Sequence, residues 1–184
     1  MEEKSRQKII ELAENAAASE IAGRPFTPEK PEESELSARR GCFVTLKTSG
    51  ELRGCIGCFT SQEPLYKTVC SMARSSVSSD PRFAGRRLKS SDLPELEIEV
   101  SVLSELKETQ DPLSLRPGID GIYIQKGFAS GCFLPQVINE TGWNKEQFLS
   151  YCCSHKAGLP ADAWKDKDTK VYLFTSEIIS SRSE

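Results

Sequence analysis

A single histidine, His155, is the whole imidazole supply of this 184-residue chain, so any mechanism built on two histidines is excluded. No apolar run approaches the ~18 residues needed to span a membrane. The opening Met1-Glu2-Glu3-Lys4 lacks the apolar stretch of a secretory signal. The expectation is therefore a cytoplasmic chain with no membrane segment. Excess positive charge is missing too. The net charge of −3 argues against broad nucleic-acid binding, which usually shows a basic domain. No P-loop, no Rossmann glycine pattern and no HExxH occurs. No cofactor and no metal is expected. Hydrophobic residues make up only 38%, enough for one domain or two small lobes.

Cysteine, by contrast, is plentiful. Cys42, Cys55, Cys58, Cys70, Cys132, Cys152 and Cys153 make an odd number with no export signal, which reads as reduced thiols. Along the chain, Ile9, Leu12, Ala13, Ala16 and Ala17 predict a helix over residues 3–22, stopped at Gly23. A proline-spaced polar loop follows through Pro31. Residues 41–47 and 51–59 read as a hairpin turning at Ser49-Gly50. Pro64 opens a helix that ends near Ser79, since Asp80 precedes Pro81. Leu96, Ile98, Val100 and Val102 alternate with Glu97, Glu99 and Ser101 and mark a strand. A linker with Pro112 and Pro117 leads to a second hairpin around Gly127. Asn144 and Gln147 then predict a capped helix to Gly158, and residues 171–179 a last strand. Both halves read strand, glycine turn, strand with Gly-Cys (Gly54-Cys55, Gly131-Cys132), helix. This predicts an internal duplication and an α+β architecture.

The candidate chemistry centres on Leu52-Arg53-Gly54-Cys55-Ile56-Gly57. Glycines permit close approach, arginine offers donors matched to carboxylate or phosphate, and a nearby cation stabilises a thiolate. Cys55 can be a nucleophile or only a small residue in crowded backbone. Its one possible imidazole, His155, lies about 100 residues away and nothing in the sequence places it near. Cys55-Ile56-Gly57-Cys58 is a C-x-x-C, but inside a strand residues three apart point to opposite faces. Cys152 and His155 share a helix face, and with Cys153 they could supply zinc ligands. No second C-x-x-C supports that, and a core stripe is the simpler reading. Arg53, with Arg82, Arg86, Arg87 and Lys89, could hold an anionic molecule or a nucleic-acid backbone, or form a solvated loop. Arg53 inside a strand needs a partner, either Asp80 or a ligand. Asp80-Pro81-Arg82-Phe83 is either part of that rim or a turn with its own ion pair.

These stretches resemble the AMMECR family, named for the Alport syndrome, mental retardation, midface hypoplasia and elliptocytosis chromosomal region. The likeness rests on residues 52–57, on Ser79-Asp80-Pro81-Arg82-Phe83, and on Gly121-Ile122 with Phe133-Leu134-Pro135-Gln136-Val137. It rests also on Gly142-Trp143 with Lys156-Ala157-Gly158-Leu159-Pro160. It covers roughly residues 5–180 and is nearest to prokaryotic, especially archaeal, members. The resemblance implies one domain over residues 1–184, with two unequal lobes of antiparallel sheet and helices and a cleft between them near the hallmark stretch. It implies no established activity. It points to a role in a basic cellular process and to a Memo-type or radical S-adenosylmethionine partner. Two positions depart from the family: Cys58 stands where threonine is usual, and Asp120 where some members carry histidine. The expected site is thus Leu52, Arg53, Gly54, Cys55, Ile56, Gly57, Asp80, Arg82 and Phe83. Arg53 would fix a small anionic ligand and Cys55 would line or attack it. The alternatives are a non-catalytic interaction module and, less favoured, nucleic-acid binding through Arg82, Arg86, Arg87 and Lys89.

Overall fold

The computed structural model describes residues 1–182, which divide into two compact units. The first comprises residues 1–103 with the chain from Glu177 on, and the second residues 104–176.

In the first unit, helix α1 (Glu3–Ile21) buries Ile9, Leu12, Ala13, Ala16 and Ala17. The small Ala13, Ala16 and Ala17 let α1 lie close to helix α2 (Leu65–Ser78), which starts directly after Pro64. Both helices cover one face of an antiparallel sheet formed by β1 (Cys42–Thr48), β2 (Glu51–Cys58) and β3 (Leu96–Leu103) in the order β2-β1-β3. The core strands alternate as the sequence alternates: Val44, Leu46, Ile98, Val100 and Val102 face the helices and are buried.

In the second unit, β5 (Asp120–Lys126) pairs antiparallel with β6 (Ala129–Phe133) and with β7 (Lys170–Ser180), whose residues up to Ser176 belong here. A short strand β4 (Lys107–Thr109) adds to β7, in a stretch expected to be only linker. Helix α3 (Gln136–Thr141) ends at Gly142, and α4 (Lys145–Tyr151) begins at Asn144 with the expected reciprocal cap. Asn144 Oδ1 accepts from the Gln147 N–H at 2.9 Å, and Gln147 Oε1 from the Asn144 N–H at 3.0 Å. The helix does not run on to Gly158 as α-helix but widens into a π-helical turn over Cys152–Ala157.

The duplication read from the sequence is matched strand for strand. Each unit is a hairpin, then a helix, then a third strand antiparallel to the first strand of the hairpin, giving β2-β1-β3 and β6-β5-β7. In both, the glycine before the hairpin cysteine is where the following helical segment presses on the strand. A Cβ on Gly54 would overlap the Ser76 carbonyl, and one on Gly131 the Lys156–Ala157 backbone. The architecture is α+β.

Candidate functional site

The hairpin turn sets the site. Ser49 and Gly50 both have positive φ, 51° and 77°, as a tight primed turn requires. Beyond it Thr48 stands opposite Glu51 and Lys47 opposite Leu52, but Leu46 stands opposite Gly54. Arg53 is an extra residue, a β-bulge. It moves the rest of β2 by one position, so that Gly54 faces the helices and Cys55 turns to the other face, opposite Thr45.

Arg53 leaves the ladder to donate from Nη1 to the Thr48 hydroxyl at 2.8 Å and from Nη2 to the Arg86 carbonyl at 3.3 Å. Its carboxylate neighbour is Asp92, at 3.7 Å. Asp80, expected as a partner, is engaged elsewhere. Arg53 lines an open groove of about 690 Å³ with Glu51, Arg86, Arg87, Lys89 and Asp92. Arg86, Arg87 and Lys89 are exposed and, among the described residues, have no carboxylate within ion-pair distance. Four cations meet two carboxylates here, in a chain whose net charge is −3.

Cys55 belongs to a second constellation. Its sulfur accepts from the Thr45 hydroxyl at 3.2 Å. Its backbone points outward from the edge strand and is captured by the Asp80-Pro81-Arg82 turn. The Cys55 N–H donates to Asp80 Oδ2 at 2.9 Å, and Arg82 Nη2 donates to the Cys55 carbonyl at 3.3 Å. Asp80, only 5% exposed, also accepts from the Arg82 N–H at 3.1 Å, from Arg82 Nε at 3.0 Å and from Nη2 at 2.7 Å. The Arg82 guanidinium bound to it holds the Asp80 carboxyl at about 2, below its ordinary 3.8. The same hydrogen bonds raise the Arg82 pKa, against some desolvation, and the Cys55 thiol beside the guanidinium adds to the effect. Arg82 also lies 5.4 Å from the Phe83 ring centre. The turn therefore seals a sheet edge, whose unpaired N–H and C=O would otherwise be open to another strand. The ion pair read from the turn is present, Arg82 Nη2 to Asp80 Oδ2 at 2.7 Å.

The two glycines act differently from expectation. The space beside Gly54 is taken by the Ser76 carbonyl and that beside Gly57 by the Phe43 ring. The close approach seen at both is to protein. Leu52 is exposed and Ile56 half-buried. Thr45, Thr48, Ser76 and Asp92 are contributors that sequence reasoning missed. Ser76 Oγ accepts from the Ile56 N–H at 2.9 Å and donates to the Val44 carbonyl at 2.8 Å, bridging two residues that stand opposite in the ladder. Only the bulge brings them to the site, and no residue type announces it.

All seven cysteines are free thiols. Among the described residues no group of three or more His, Cys, Asp or Glu side chains is arranged to hold a metal, and no helix is long and apolar enough to cross a membrane. His155 stacks on Tyr151 in the second unit, ring centres 5.2 Å apart, and Cys152 is wholly buried. Asp120 accepts from the Arg116 backbone N–H at 2.8 Å and guanidinium at 2.8 and 2.9 Å, which lowers its carboxyl pKa.

A repeated hairpin–helix–strand unit, with an arginine bulge in the first copy only, defines an α+β protein of two like halves. The chain belongs to the AMMECR1 family, whose model matches residues 10–179. A protein of Thermococcus onnurineus is 41% identical over 181 residues, covering 92% of this chain and 87% of its own. One from Methanothermobacter thermautotrophicus is 42% identical over 146 residues, covering 76% and 74%. The crystal structure of uncharacterized protein PH0010 from Pyrococcus horikoshii superposes with a TM-score of 0.84 at 38% identity, covering 97% of this chain and 92% of that one. The names of these relatives state no activity, so function has to be argued from the site.

Proposed function

We propose that the chain binds a small anionic molecule in the groove organised by Arg53. One observation carries this reading. Three exposed cations without carboxylate partners among the described residues, Arg86, Arg87 and Lys89, lie around a guanidinium already fixed in place by Thr48 and the Arg86 carbonyl. A held arginine loses little freedom on meeting a carboxylate or phosphate, and that favours binding. The groove volume lies within the usual small-molecule range of about 300–1,000 Å³. Cys55 and its Asp80–Arg82 clamp are not among the residues that line this groove. A catalytic role for the thiol would need a base, and the side chains beside it are the Thr45 hydroxyl and the Arg82 guanidinium, neither of which is a base. The reading is thus of a ligand-binding protein in a reducing compartment such as the cytoplasm, where seven free thiols persist.

A panel of phosphorylated and carboxylated metabolites, followed by calorimetry at low salt, tests it. One or more should bind, and Arg87→Ala and Lys89→Ala should each weaken that binding about tenfold, as expected for lost charged hydrogen bonds. Retained affinity in both variants, or no anion bound at millimolar concentration, refutes the proposal. A second reading, docking of a partner protein on the same edge, is favoured by Leu52, a large apolar side chain left exposed beside Arg53. Co-purification lost on Leu52→Asp and kept on Lys89→Ala would select it. Nucleic acid is the weakest candidate, and a steep fall of affinity with salt is its signature.

A further inference from the structure

We infer that Cys42 and Cys58 are an oxidisable pair that closes into a cross-strand disulfide at the open end of the first hairpin. The two residues stand directly opposite in the β1–β2 ladder, so their side chains leave the same face. Cys55 turns its N–H and C=O outward to Asp80 and Arg82. Three residues on, alternation turns those of Cys58 inward, toward Cys42. Residues opposed in that way have Cα atoms about 5.5 Å apart. A disulfide normally needs about 4.4–6.8 Å. The pair is asymmetric: Cys42 is wholly buried and Cys58 partly exposed. Burial raises the Cys42 thiol, and the charges of Cys58, then of Cys70, add to it. Cys55 is the wrong partner for Cys58. It lies three positions away on the same strand, on the opposite face, with its thiol against Thr45.

This division of labour suits thiol–disulfide exchange. With oxidised glutathione, the Cys58 thiolate attacks one sulfur and expels a glutathione thiolate, leaving a mixed disulfide. The Cys42 thiol then loses its proton, attacks the Cys58 sulfur and expels the second glutathione. The two electrons removed from the protein reside on the two glutathione thiols. Because burial disfavours the Cys42 thiolate, the second step speeds up as pH rises. The bond would tie together the two ends of the hairpin whose turn region carries Arg53, and it uses no residue of the proposed anion groove.

The test treats the folded protein with oxidised glutathione at about pH 7 and about pH 9, alkylates remaining thiols, digests and maps linkages by mass spectrometry. The expected result is a Cys42–Cys58 linked peptide that accumulates faster at the higher pH. It should be unaffected by Cys55→Ser and absent in Cys58→Ser and Cys58→Thr. A lasting glutathione adduct on Cys58, with Cys42 free once the protein is unfolded, overturns the inference. So does linkage of Cys58 to Cys55 or Cys70.

Discussion

Replacing Asp80 by asparagine keeps the shape of the side chain and removes the charge that clamps Arg82 and the edge of β2. The wild-type carboxyl falls from 3.8 to about 2 in the folded protein. That difference corresponds to about 2 kcal/mol favouring the native state once the group is ionised. The Arg82 side chain is 57% exposed, so water screens part of it and about 1–2 kcal/mol is the better figure. The amide adds a further loss. It offers one acceptor where four donor contacts converge, and it turns its own N–H toward them. A buried donor left unpaired costs about 1–3 kcal/mol. Asp80→Asn should therefore lose about 2–4 kcal/mol at pH 7. The sign with pH follows from a carboxyl whose folded value lies below its unfolded one. The charge contribution is complete above about pH 4 and drains away as pH falls toward 2. Urea melts at a series of pH values read this out, with a lowered midpoint at unchanged slope. The gap between wild type and variant should narrow by about 1–2 kcal/mol toward pH 2. A gap that is constant across the series would show that packing, not charge, holds the clamp.

Other outcomes follow from the same geometry. Gly54→Ala and Gly131→Ala should each cost about 1–3 kcal/mol by overpacking, since backbone occupies the space a methyl would take. Gly85→Ala, with nothing near its Cβ, should be silent in the same urea melts. Ser76→Ala removes the hydroxyl that bridges Ile56 and Val44 and should lose about 1–3 kcal/mol. A loss under about 0.5 kcal/mol would mean that the strands close to bond directly. Timed maleimide labelling of the folded protein should reach the half-exposed Cys55 and Cys58 before Cys42, Cys70 and Cys152. Burial pushes the last three thiols up, Cys70 to about 12.

Much of the fold is legible because burial writes itself as periodicity. The helical stripe of α1, the alternation of β3 and the Asn144–Gln147 cap each carry a local signal that matches the final packing. Where local and tertiary preferences diverge, the reading fails. The widening of α4 into a π turn comes at Cys152–Ala157, where Lys156 and Ala157 crowd Gly131, a contact across more than 20 residues. Strand β4 exists through its pairing with β7, not through its own composition. The surroundings of Arg53 and Cys55 are illegible in the sequence for a sharper reason. A two-residue turn at Ser49-Gly50 with no bulge would set Arg53 opposite Leu46 and Cys55 opposite Val44, aiming both at the helices. The inserted residue reverses those faces, gives Cys55 to Thr45 and sends Arg53 to Thr48.

Comparison of the two hairpins isolates that residue. In the second, pairing runs without interruption from Lys126–Ala129 through Gln125–Ser130 and Ile124–Gly131 to Tyr123–Cys132. In the first, the corresponding pairs are Thr48–Glu51, Lys47–Leu52, Leu46–Gly54 and Thr45–Cys55. From Glu51 to Ile56 every residue of the first hairpin's return limb has a counterpart in Ala129–Phe133 except Arg53. An extra residue that re-aims a strand at an exposed groove is a common device beside functional sites. Deleting Arg53 should therefore yield a regular hairpin like its sister, with Gly54 still against Ser76 and Cys55 still opposite Thr45. The loss is confined to the hydrogen bonds from Arg53 to Thr48 and the Arg86 carbonyl, about 0.5–1.5 kcal/mol each. A chain that folds cooperatively with a modestly lowered midpoint and no longer takes up anions would place the binding function in that one inserted arginine. A chain that binds as before would move the ligand away from Arg53, and one that cannot fold would make the bulge a structural necessity of the first hairpin.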